Sequence, residues 1–451
     1  MGRVATIKMI ILPKVNYLFT MIPIKPSATW FKSLDSCISK FLWKNKPPRI
    51  SLKTLQKTKD SGGLDLPNFQ HYFLANRLQY ISKWFKPSPL DEPWINIEQA
   101  MCDNLEISDL PLISQNVKHP KCFKSINIST SLTAWWEFLK ITKSSLLPCK
   151  LTPIWNNPDI LQNKKMLNFT LWKNKGIKHL EHIIQNGSFI SFDELISQHG
   201  IGSNKFLEYQ QLKSIITEKY IIHQPDLQLP IRVAEFLSIC TPKLLSKIYK
   251  LLSRIDDTMS LPSSKREADL SISSSHSFWP QICLNTFRMT QNPNLQLIQY
   301  KILHRTHYTG QRMFRMGLTH SNICSHCTDN TPDNYAHALW FCAPVQKFWL
   351  EVCEDLSTWL KCSIPACPTL CILGDLDNIN VEINSAHMVL TVLCIAKKTI
   401  LMNWKTKNNL CINQFRHFLL DYISMETMSA SSKHQLAEFH SLWSPLISFI
   451  T

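Results

Sequence analysis

The feature that most constrains this chain of 451 residues is a Cys/His motif of nineteen residues near its carboxyl end. It reads C-x2-C-x9-H-x4-C and consists of Cys324, Cys327, His337 and Cys342. Three thiolates and one imidazole form a complete tetrahedral donor set for zinc, which leaves no coordination position for a substrate. A closed site of this kind stabilises a small fold and does not activate water. The motif therefore predicts a structural zinc site in a binding module rather than a zinc enzyme.

The alternative is that these thiols are ordinary core cysteines. The chain contains 15 Cys, so a C-x-x-C pair arises easily by chance, and free cysteine is often buried as a small hydrophobic residue. Two features favour the metal. The segment between the ligands is polar and rich in turn residues, and an apolar run at 335–341 follows it. His326 is the main rival to His337 as the nitrogen ligand, and His320 is a weaker rival.

Composition excludes several classes of protein. A length of 451 residues allows about two to four domains, and a hydrophobic content of 44% is enough for real cores. Only 10 residues are Gly, and neither G-x-G-x-x-G nor G-x-x-x-x-G-K-[ST] occurs, which argues against a nucleotide-binding loop. The cysteines are scattered and no secretion signal precedes them, which predicts a reducing compartment. The most apolar later run, Met388 to Ala396, ends at Lys397-Lys398 and is too short to span a bilayer.

Positive charge is concentrated in two places. The net charge is +16, and residues 1–90 contribute +12 of it, with 15 basic residues against three acidic ones. A second basic stretch, residues 295–316, has no acidic residue and carries aromatic side chains that include Tyr300 and Tyr308. Cations that meet phosphates beside rings that stack on bases are typical of single-stranded nucleic-acid binding. The alternative is a solvated basic face on ordinary packed helices.

Hydrophobic periodicity predicts a mostly α fold, an elongated assembly of many helices with a small zinc-knuckle-like segment near the carboxyl end. Proline-marked turns, Gly residues and a Ser-rich tract suggest four parts. They are a basic helical segment at 1–90, a helical middle domain at 91–258, a linker at 259–278, and a helical domain at 279–451 that contains the knuckle at 324–342. The only Asp-Asp pair, Asp256-Asp257, follows a cationic helix and is not expected to be catalytic.

Taken in order, these segments resemble the carboxyl-terminal portion of a LINE-type (non-LTR) retrotransposon polyprotein, from the end of the reverse transcriptase thumb through the cysteine-rich segment. The resemblance covers essentially the whole chain. Its residues are Gly2-Arg3-Val4, Lys8-Met9, Leu12-Pro13-Lys14, Tyr17-Leu18-Phe19, Pro23-Ile24, Phe41-Leu42-Trp43-Lys44, Arg49-Ile50, Gly62-Gly63-Leu64, Leu66-Pro67-Asn68-Phe69, Tyr72, Trp172, Gly176-Ile177, Leu180, Ser191-Phe192, Leu195, Tyr209, Gln211-Leu212-Lys213, Arg312-Met313, Met316-Gly317, Cys324 to Cys342, Phe348-Trp349 and Leu373-Gly374. The spacing between Cys327 and His337 differs from that of the family by a residue or two.

The resemblance implies a catalytically incomplete fragment, because the palm aspartates that hold two metals for phosphoryl transfer lie upstream of the thumb. The amino-terminal endonuclease of the family is also missing, so we do not expect an enzyme. We expect a protein that binds RNA or single-stranded DNA, with structural Zn2+, no membrane contact, and the catalytic part of the same polyprotein as a further partner. The expected location is a cytoplasmic ribonucleoprotein, the nucleus, or both. The alternatives are part of an RNA-directed DNA polymerase that needs an upstream palm, and a transposon remnant without function.

The charge pattern assigns nucleic-acid contacts to eleven basic residues. They are Lys8, Lys14, Lys40, Lys44, Lys46, Arg49, Lys53, Lys301, Arg305, Arg312 and Arg315.

Overall fold

In a computed structural model, the protein is described over residues 1–88, 91–102, 105–115, 124–185, 187–220, 227–240, 242–255, 263–377, 379, 383–404 and 410–450. Helix accounts for 63% of the structure. The strands of the described part form two short antiparallel hairpins, Leu161–Gln162 with Lys165–Met166 and Ile184–Gln185 with Ser188–Phe189. The prediction of a mostly α fold is confirmed.

The chain divides into two compact units, each made of discontinuous segments. Unit 1 consists of Met1–Lys8, Asp35–Leu66 and Asp257–Thr451, and unit 2 of Met9–Leu34 and Pro67–Asp256. The predicted segment 1–90 is therefore shared between both units. The reason is packing: the helix Phe69–Phe85 buries Leu74, Leu78 and Ile81 in a core of unit 2, whereas residues 35–66 belong to the other unit.

Unit 1 holds the Cys/His motif in a single large core that runs from Leu270 to Leu446 and includes Trp349 and Phe415. Its described helices begin with Gly2–Thr6 and the carboxyl-terminal part of Ala28–Trp43. They continue with Leu52–Gln56, Ser263–Leu270, Phe278–Arg288, Pro293–Leu303, Gly310–Arg315, Ala343–Leu360, Ile383–Asn403, Ile412–Ser432 and Leu436–Ile450, and with π-helical turns at His337–Phe341 and Thr369–Leu373.

Unit 2 has two cores, one around Trp135 and Phe138 and the other around Trp172 and Leu212. After a π-helical turn at Ile7–Ile11 that enters it from unit 1, its described helices are Leu12–Met21, Phe69–Phe85, Glu92–Ala100, Ile126–Ile141, Thr170–Asn174, Phe192–His199, Phe206–Lys219, Ile231–Ser238 and Leu244–Ser253, with 3-10 turns at Ile107–Leu112, Leu180–His182 and Ser203–Lys205. A serine followed three residues later by Glu predicts a capping box at Ser191. The side chains of Ser191 and Glu194 form it, and Gly200 ends that helix at φ 62°.

Hydrophobic periodicity predicts one helix over 295–316 and another that ends at Ile184, and Pro13 is expected to break the first apolar stretch. The structure differs at all three places. The basic stretch 295–316 is two helices rather than one, because Arg305 adopts a left-handed conformation at φ 49° and Thr309 caps a new helix at Gly310. The helix expected to end at Ile184 is instead a 3-10 turn and a hairpin, whose Gly187 turns at φ 73° within an Asn-Gly sequence, a strong hairpin signal. Pro13 does not end the first helix, since it occupies the first turn of Leu12–Met21.

The expected linker at 259–278 is partly helical. Ser263–Leu270 forms a helix that buries Arg266 and Leu270, and Glu267 accepts a hydrogen bond from Trp279 Nε1 at 2.6 Å. Burial of these side chains explains why a Ser-rich sequence is ordered at this point. Residues 256–262, including Asp256-Asp257, lie outside the described residues.

Two helical stretches, Gly2–Met21 and Ser385–Asn403, are long and apolar enough to cross a membrane by length and composition alone. The core helix of a soluble protein passes the same test. The second stretch is 67% buried within the structure, whereas the first is 17% buried. The second stretch is longer than the apolar run Met388 to Ala396, which by itself is too short to span a bilayer, because the helix continues through Lys397. The Nζ of Lys397 lies in the core and donates to Gln299 Oε1 at 2.6 Å and to the Ile372 carbonyl at 3.1 Å.

A tight turn at residues 57–66 joins segments of unit 1 that are far apart in sequence. The Gly62 carbonyl accepts hydrogen bonds from the Tyr300 hydroxyl at 3.2 Å and from His304 Nε2 at 2.8 Å. The N–H of Gly63 donates to the Thr58 carbonyl at 2.7 Å. A side chain at Gly63 would overlap the backbone of Lys57, so the turn needs glycine there.

We expect Gly63→Ala to destabilise unit 1. The added Cβ would collide with a backbone carbonyl, which cannot move aside as a flexible side chain can, so the free energy of unfolding should fall by about 2–4 kcal/mol. Urea unfolding monitored by circular dichroism measures this. The control is Gly2→Ala, where nothing lies within 4 Å of the added methyl group and a change of about 0.5 kcal/mol or less is expected. Equal stability of the two variants would contradict the packing argument.

Candidate metal centre and cationic cluster

The four predicted zinc ligands lie together in unit 1. Their three Sγ atoms and a ring nitrogen of His337 are all within 4.8 Å of one another. The Sγ atoms of Cys324 and Cys342 are 3.9 Å apart, and Cys327 Sγ is 3.4 Å from His337 Nε2. A tetrahedral zinc ion has ligand bonds of about 2.0–2.3 Å, so small side-chain movements would bring all four atoms to bonding distance. The cluster is geometrically compatible with zinc.

A loop and a π-helical turn bring the ligands together. Cys324 is held by a loop, in which its N–H donates to the Thr331 carbonyl at 2.9 Å and Ile323 bridges to Pro332. His337 begins the π-helical turn His337–Phe341 and Cys342 follows its end, where the N–H of Cys342 donates to the His337 carbonyl at 2.9 Å. Single π-helical turns are frequent at functional sites. The wider π-helical turn places the side chains of His337 and Cys342 on the same side of this segment.

The His337 ring is oriented by a residue that the motif does not contain. Its Nδ1 lies 3.2 Å from Thr331 Oγ1, an arrangement that directs Nε2 towards Cys327. Metal-binding imidazoles commonly donate their other N–H to such an oxygen. Asn334 Oδ1 accepts from the His337 backbone N–H at 2.8 Å. Sequence reasoning missed both residues, although an Asn three positions before a helical ligand is a recognisable capping signal.

Burial keeps the donors of the cluster in their neutral forms when no cation is present. Burial raises the pKa of the Cys324 and Cys342 thiols, and the neighbouring Cys324 acts in the same direction on Cys342. Burial also lowers the pKa of His337, against the opposing effect of Asp333 and Asp329. Thiolates are therefore unfavourable here unless a positive ion compensates them, while a neutral imidazole is ready to coordinate one.

The rival histidines have other positions. His326 Nε2 lies 3.0 Å from the Trp404 carbonyl, and His320 is exposed. Within the described residues, neither belongs to the group of four donor atoms.

The two basic segments predicted separately meet at one aromatic ring in unit 1. The guanidinium carbons of Arg49 and Arg312 lie 4.4 Å and 5.2 Å from the centroid of Tyr308. We call Arg49, Lys301, His307, Tyr308 and Arg312 the cationic cluster. Like charges repel, and the attraction of each guanidinium for the face of the ring offsets part of that repulsion. Arg312 also donates to the Arg305 carbonyl at 3.1 Å.

The positive charge of the cluster lowers the pKa values of two of its own members. Burial lowers the pKa of Lys301, and the charge of Arg49 lowers it further. Burial lowers the pKa of His307 to about 4, with further effects from Lys301 and Arg49. Among the described residues, no carboxylate forms an ion pair with Arg49, Lys301 or Arg312. An anion from outside would relieve this repulsion.

The remaining predicted cations differ in their availability. Lys40, Lys44, Lys46, Lys53 and Arg315 are exposed side chains of unit 1, and Lys14 is exposed in unit 2. Two others have internal partners. Arg305 pairs with Asp269 and lies 5.1 Å from the centroid of Tyr335, and Lys8 Nζ donates to the Leu64 carbonyl at 3.0 Å. The geometry therefore gives Arg305 and Lys8 structural roles that their charge alone did not indicate.

We expect acid to destabilise unit 1 partly through His307. Its pKa of about 4 in the folded protein lies below its ordinary value of 6.5, so the unfolded chain binds the proton more readily. The contribution of His307 is complete above pH 6.5 and is lost as the pH falls towards 4. At about 1.4 kcal/mol per pKa unit, His307→Gln should remove about 1–3 kcal/mol of the acid-induced loss, as measured by urea unfolding across this range. The exposed His320, changed to Gln, is the control and should keep the wild-type profile; parallel profiles for His307→Gln and wild type would refute the assignment.

The sequence matches no protein-family model. The functional assignment therefore depends on the four-donor cluster and on the cationic cluster.

Proposed function

We propose that this protein binds single-stranded nucleic acid, either RNA or DNA, through the cationic cluster and the exposed lysines beside it in the sequence. The observation that carries the proposal is the placement of Arg49 and Arg312 over the ring of Tyr308. It brings together in one unit two basic segments that are far apart in the sequence. The basic side of a single helix is most simply explained as a surface exposed to water. This cluster is different, because it is assembled from distant segments and has no carboxylate partners in the described structure, and these are properties of an anion-binding site.

The chemistry of the cluster fits a flexible strand better than a small anion. Lysine and arginine side chains meet phosphates without regard to sequence, and they position the strand. Guanidinium planes also stack on exposed bases, which duplexes keep covered. Lys44 and Lys46 extend the cluster along the chain beyond Arg49, and both are exposed.

We also propose that Zn2+ occupies the Cys324, Cys327, His337 and Cys342 cluster and stabilises the fold of unit 1. The ligands form part of the unit's core, and the helix Ala343–Leu360 begins directly after Cys342. Metal binding at such a site contributes to folding because the unfolded chain does not present the four donors together.

The resemblance to LINE-type polyproteins supports the interpretation that the chain is a catalytically incomplete carboxyl-terminal portion of such a protein. The competing interpretation is a polymerase component that becomes active with a palm supplied by another chain. Primer extension by the purified protein with Mg2+ distinguishes them, and we expect no product from this chain alone. Product formation would establish the enzyme.

We expect Cys324→Ser and Cys342→Ser to lower the bound zinc by one equivalent, since a serine hydroxyl does not replace a thiolate as a zinc ligand. The segment around Leu339 should loosen as well, because the Leu339 carbonyl accepts from Trp349 Nε1 at 2.9 Å and couples the cluster to the core. Native mass spectrometry measures the metal, and tryptophan fluorescence monitors the packing. The control, exposed Cys411 changed to Ser, should keep the full metal content. Unchanged metal in both ligand variants would show that the assignment is wrong.

We expect the combined substitution of Lys44, Lys46 and Arg49 by Gln to weaken binding of a single-stranded RNA oligonucleotide by about 10–100-fold. Three phosphate contacts release about two counterions in all, so the slope of log affinity against log salt should also fall by about 2. Fluorescence anisotropy between about 50 and 200 mM salt measures both quantities.

The matched control removes three exposed charges from unit 2, by changing Lys164, Lys165 and Lys213 to Gln. An equal loss of affinity in the control would indicate an effect of net charge alone. A second pair tests the ring: Tyr308→Phe should retain binding, whereas Tyr308→Leu should weaken it because Arg49 and Arg312 lose their common surface. Wild-type affinity that does not depend on salt would overturn the proposal.

A further inference from the structure

A second group of metal-ligating side chains lies in unit 2, in the core region around Trp172. Donor atoms of His179, Glu181 and His182 are all within 4.8 Å of one another. His199 joins them from another helix, with its ring centroid 6.1 Å from that of His182. The rings of His179 and His182 are 5.9 Å apart. Two imidazoles and a carboxylate thus converge, and a third imidazole lies beside them.

The backbone holds these residues firmly. His179 precedes the 3-10 turn Leu180–His182, whose residues Leu180 and Glu181 donate their N–H groups to the carbonyls of Thr152 and Lys150 at 3.0 Å and 2.9 Å. His199 is the last residue of Phe192–His199, a helix that has a capping box at its start and Gly200 at its end. Fixed positions of this kind reduce the entropy that ion binding would otherwise cost.

Each imidazole has an oxygen acceptor at one ring nitrogen. The His179 ring also accepts from the backbone N–H of His182. A bound ion would displace that contact, and the N–H would keep the His179 carbonyl, at 3.0 Å, as its acceptor. His179 Nε2 lies 3.2 Å from Asp109 Oδ1, and His199 Nδ1 lies 3.3 Å from the Lys175 carbonyl. His182 Nδ1 lies 3.2 Å from the His179 carbonyl. The backbone N–H of His179 is also 3.2 Å from His182 Nδ1. A metal ion on His182 Nε2 would favour the tautomer in which Nδ1 carries the proton and donates to the His179 carbonyl. Carboxylate and carbonyl acceptors of this kind orient the imidazole ligands of metals in proteins.

Two of the nearby lysines are paired with a carboxylate, whereas the exposed Lys175 has its Nζ beside Gly200. Lys178 and Lys173 pair with Glu106 at 3.1 Å and 3.6 Å. Glu181 is exposed and offers a carboxylate oxygen at the outer side of the group.

We propose that His179, Glu181 and His182, with His199 as a further ligand, bind a divalent transition-metal ion in unit 2. Imidazole and carboxylate donors suit zinc and its neighbours rather than magnesium or calcium. The ion would join the 3-10 turn to the end of helix Phe192–His199 and so stabilise the small core between them. The site is independent of the Cys/His cluster in unit 1 and of nucleic-acid binding.

Cobalt binding to the full chain tests the proposal, because Co2+ reports the atoms that bind it. We expect two equivalents in the wild-type protein. One gives the intense thiolate-to-cobalt charge-transfer band of the Cys/His cluster, and the other gives only the weaker bands of nitrogen and oxygen ligands. His182→Gln and His199→Gln should each lose the second equivalent and keep the first. The control His71→Gln, which removes an imidazole of unit 2 outside the group, should keep both.

Folding of the variants is checked separately by circular dichroism without metal. His199→Gln is the more informative variant because His199 is half-buried and stands at a helix end, so its loss should leave the fold intact. A rise in Tm on addition of Co2+ should be smaller in both variants than in the control. A wild-type protein that binds no cobalt outside the thiolate site, or a second equivalent that persists in both folded variants, would overturn the proposal.

Discussion

The turn at residues 57–66 is the constraint on which the arrangement of unit 1 depends. Its Gly62 carbonyl receives hydrogen bonds from both Tyr300 and His304, and so fixes an amino-terminal segment against a helix much later in the chain. Arg49 stands just before this turn and reaches Tyr308, just after His304. The turn and the shared Tyr308 ring together hold the two basic segments side by side. The absence of a side chain at Gly63 allows the backbone to close that tightly.

The core of unit 1 shows how the fold accommodates polar groups that must be buried. Lys397 is in the core, where its ammonium group has Gln299 Oε1 and the Ile372 carbonyl as acceptors, and burial lowers its pKa to about 8. Gln299 in turn donates to the carbonyls of Ile372 and Leu373 at 3.1 Å. These bonds satisfy the end of the π-helical turn Thr369–Leu373, whose carbonyls would otherwise be buried without partners. The Cys/His cluster presents the same problem with thiols, and zinc is the proposed solution.

Local signals in the sequence predicted local structure well. Hydrophobic periodicity predicts a helix from Phe69 to Phe85, after Asn68 and before a proline-rich sequence, and the structure has the same bounds with Asn68 as the cap. Zinc-ligand spacing is another local signal, and the four donors do converge. The failures have a common cause. The break at Arg305 depends on its pairing with Asp269 and Tyr335, and the order of Ser263–Leu270 depends on burial against distant residues. Pairing of this kind leaves no periodic trace in the sequence.

Counts of charge are therefore a poor guide to which residues meet a ligand. Within 1–90, the segments that belong to unit 1 hold nine basic and three acidic residues, and the rest of the excess belongs to unit 2. Burial then separates residues of the same type. Arg77 is fully buried and donates to the Phe19 carbonyl at 2.6 Å, so it completes the end of the helix Leu12–Met21. Arg49 instead keeps its guanidinium exposed over a ring, where no described carboxylate neutralises it. Only cations of the second kind release counterions when a phosphate arrives, and it is this property that makes binding to a polyanion favourable.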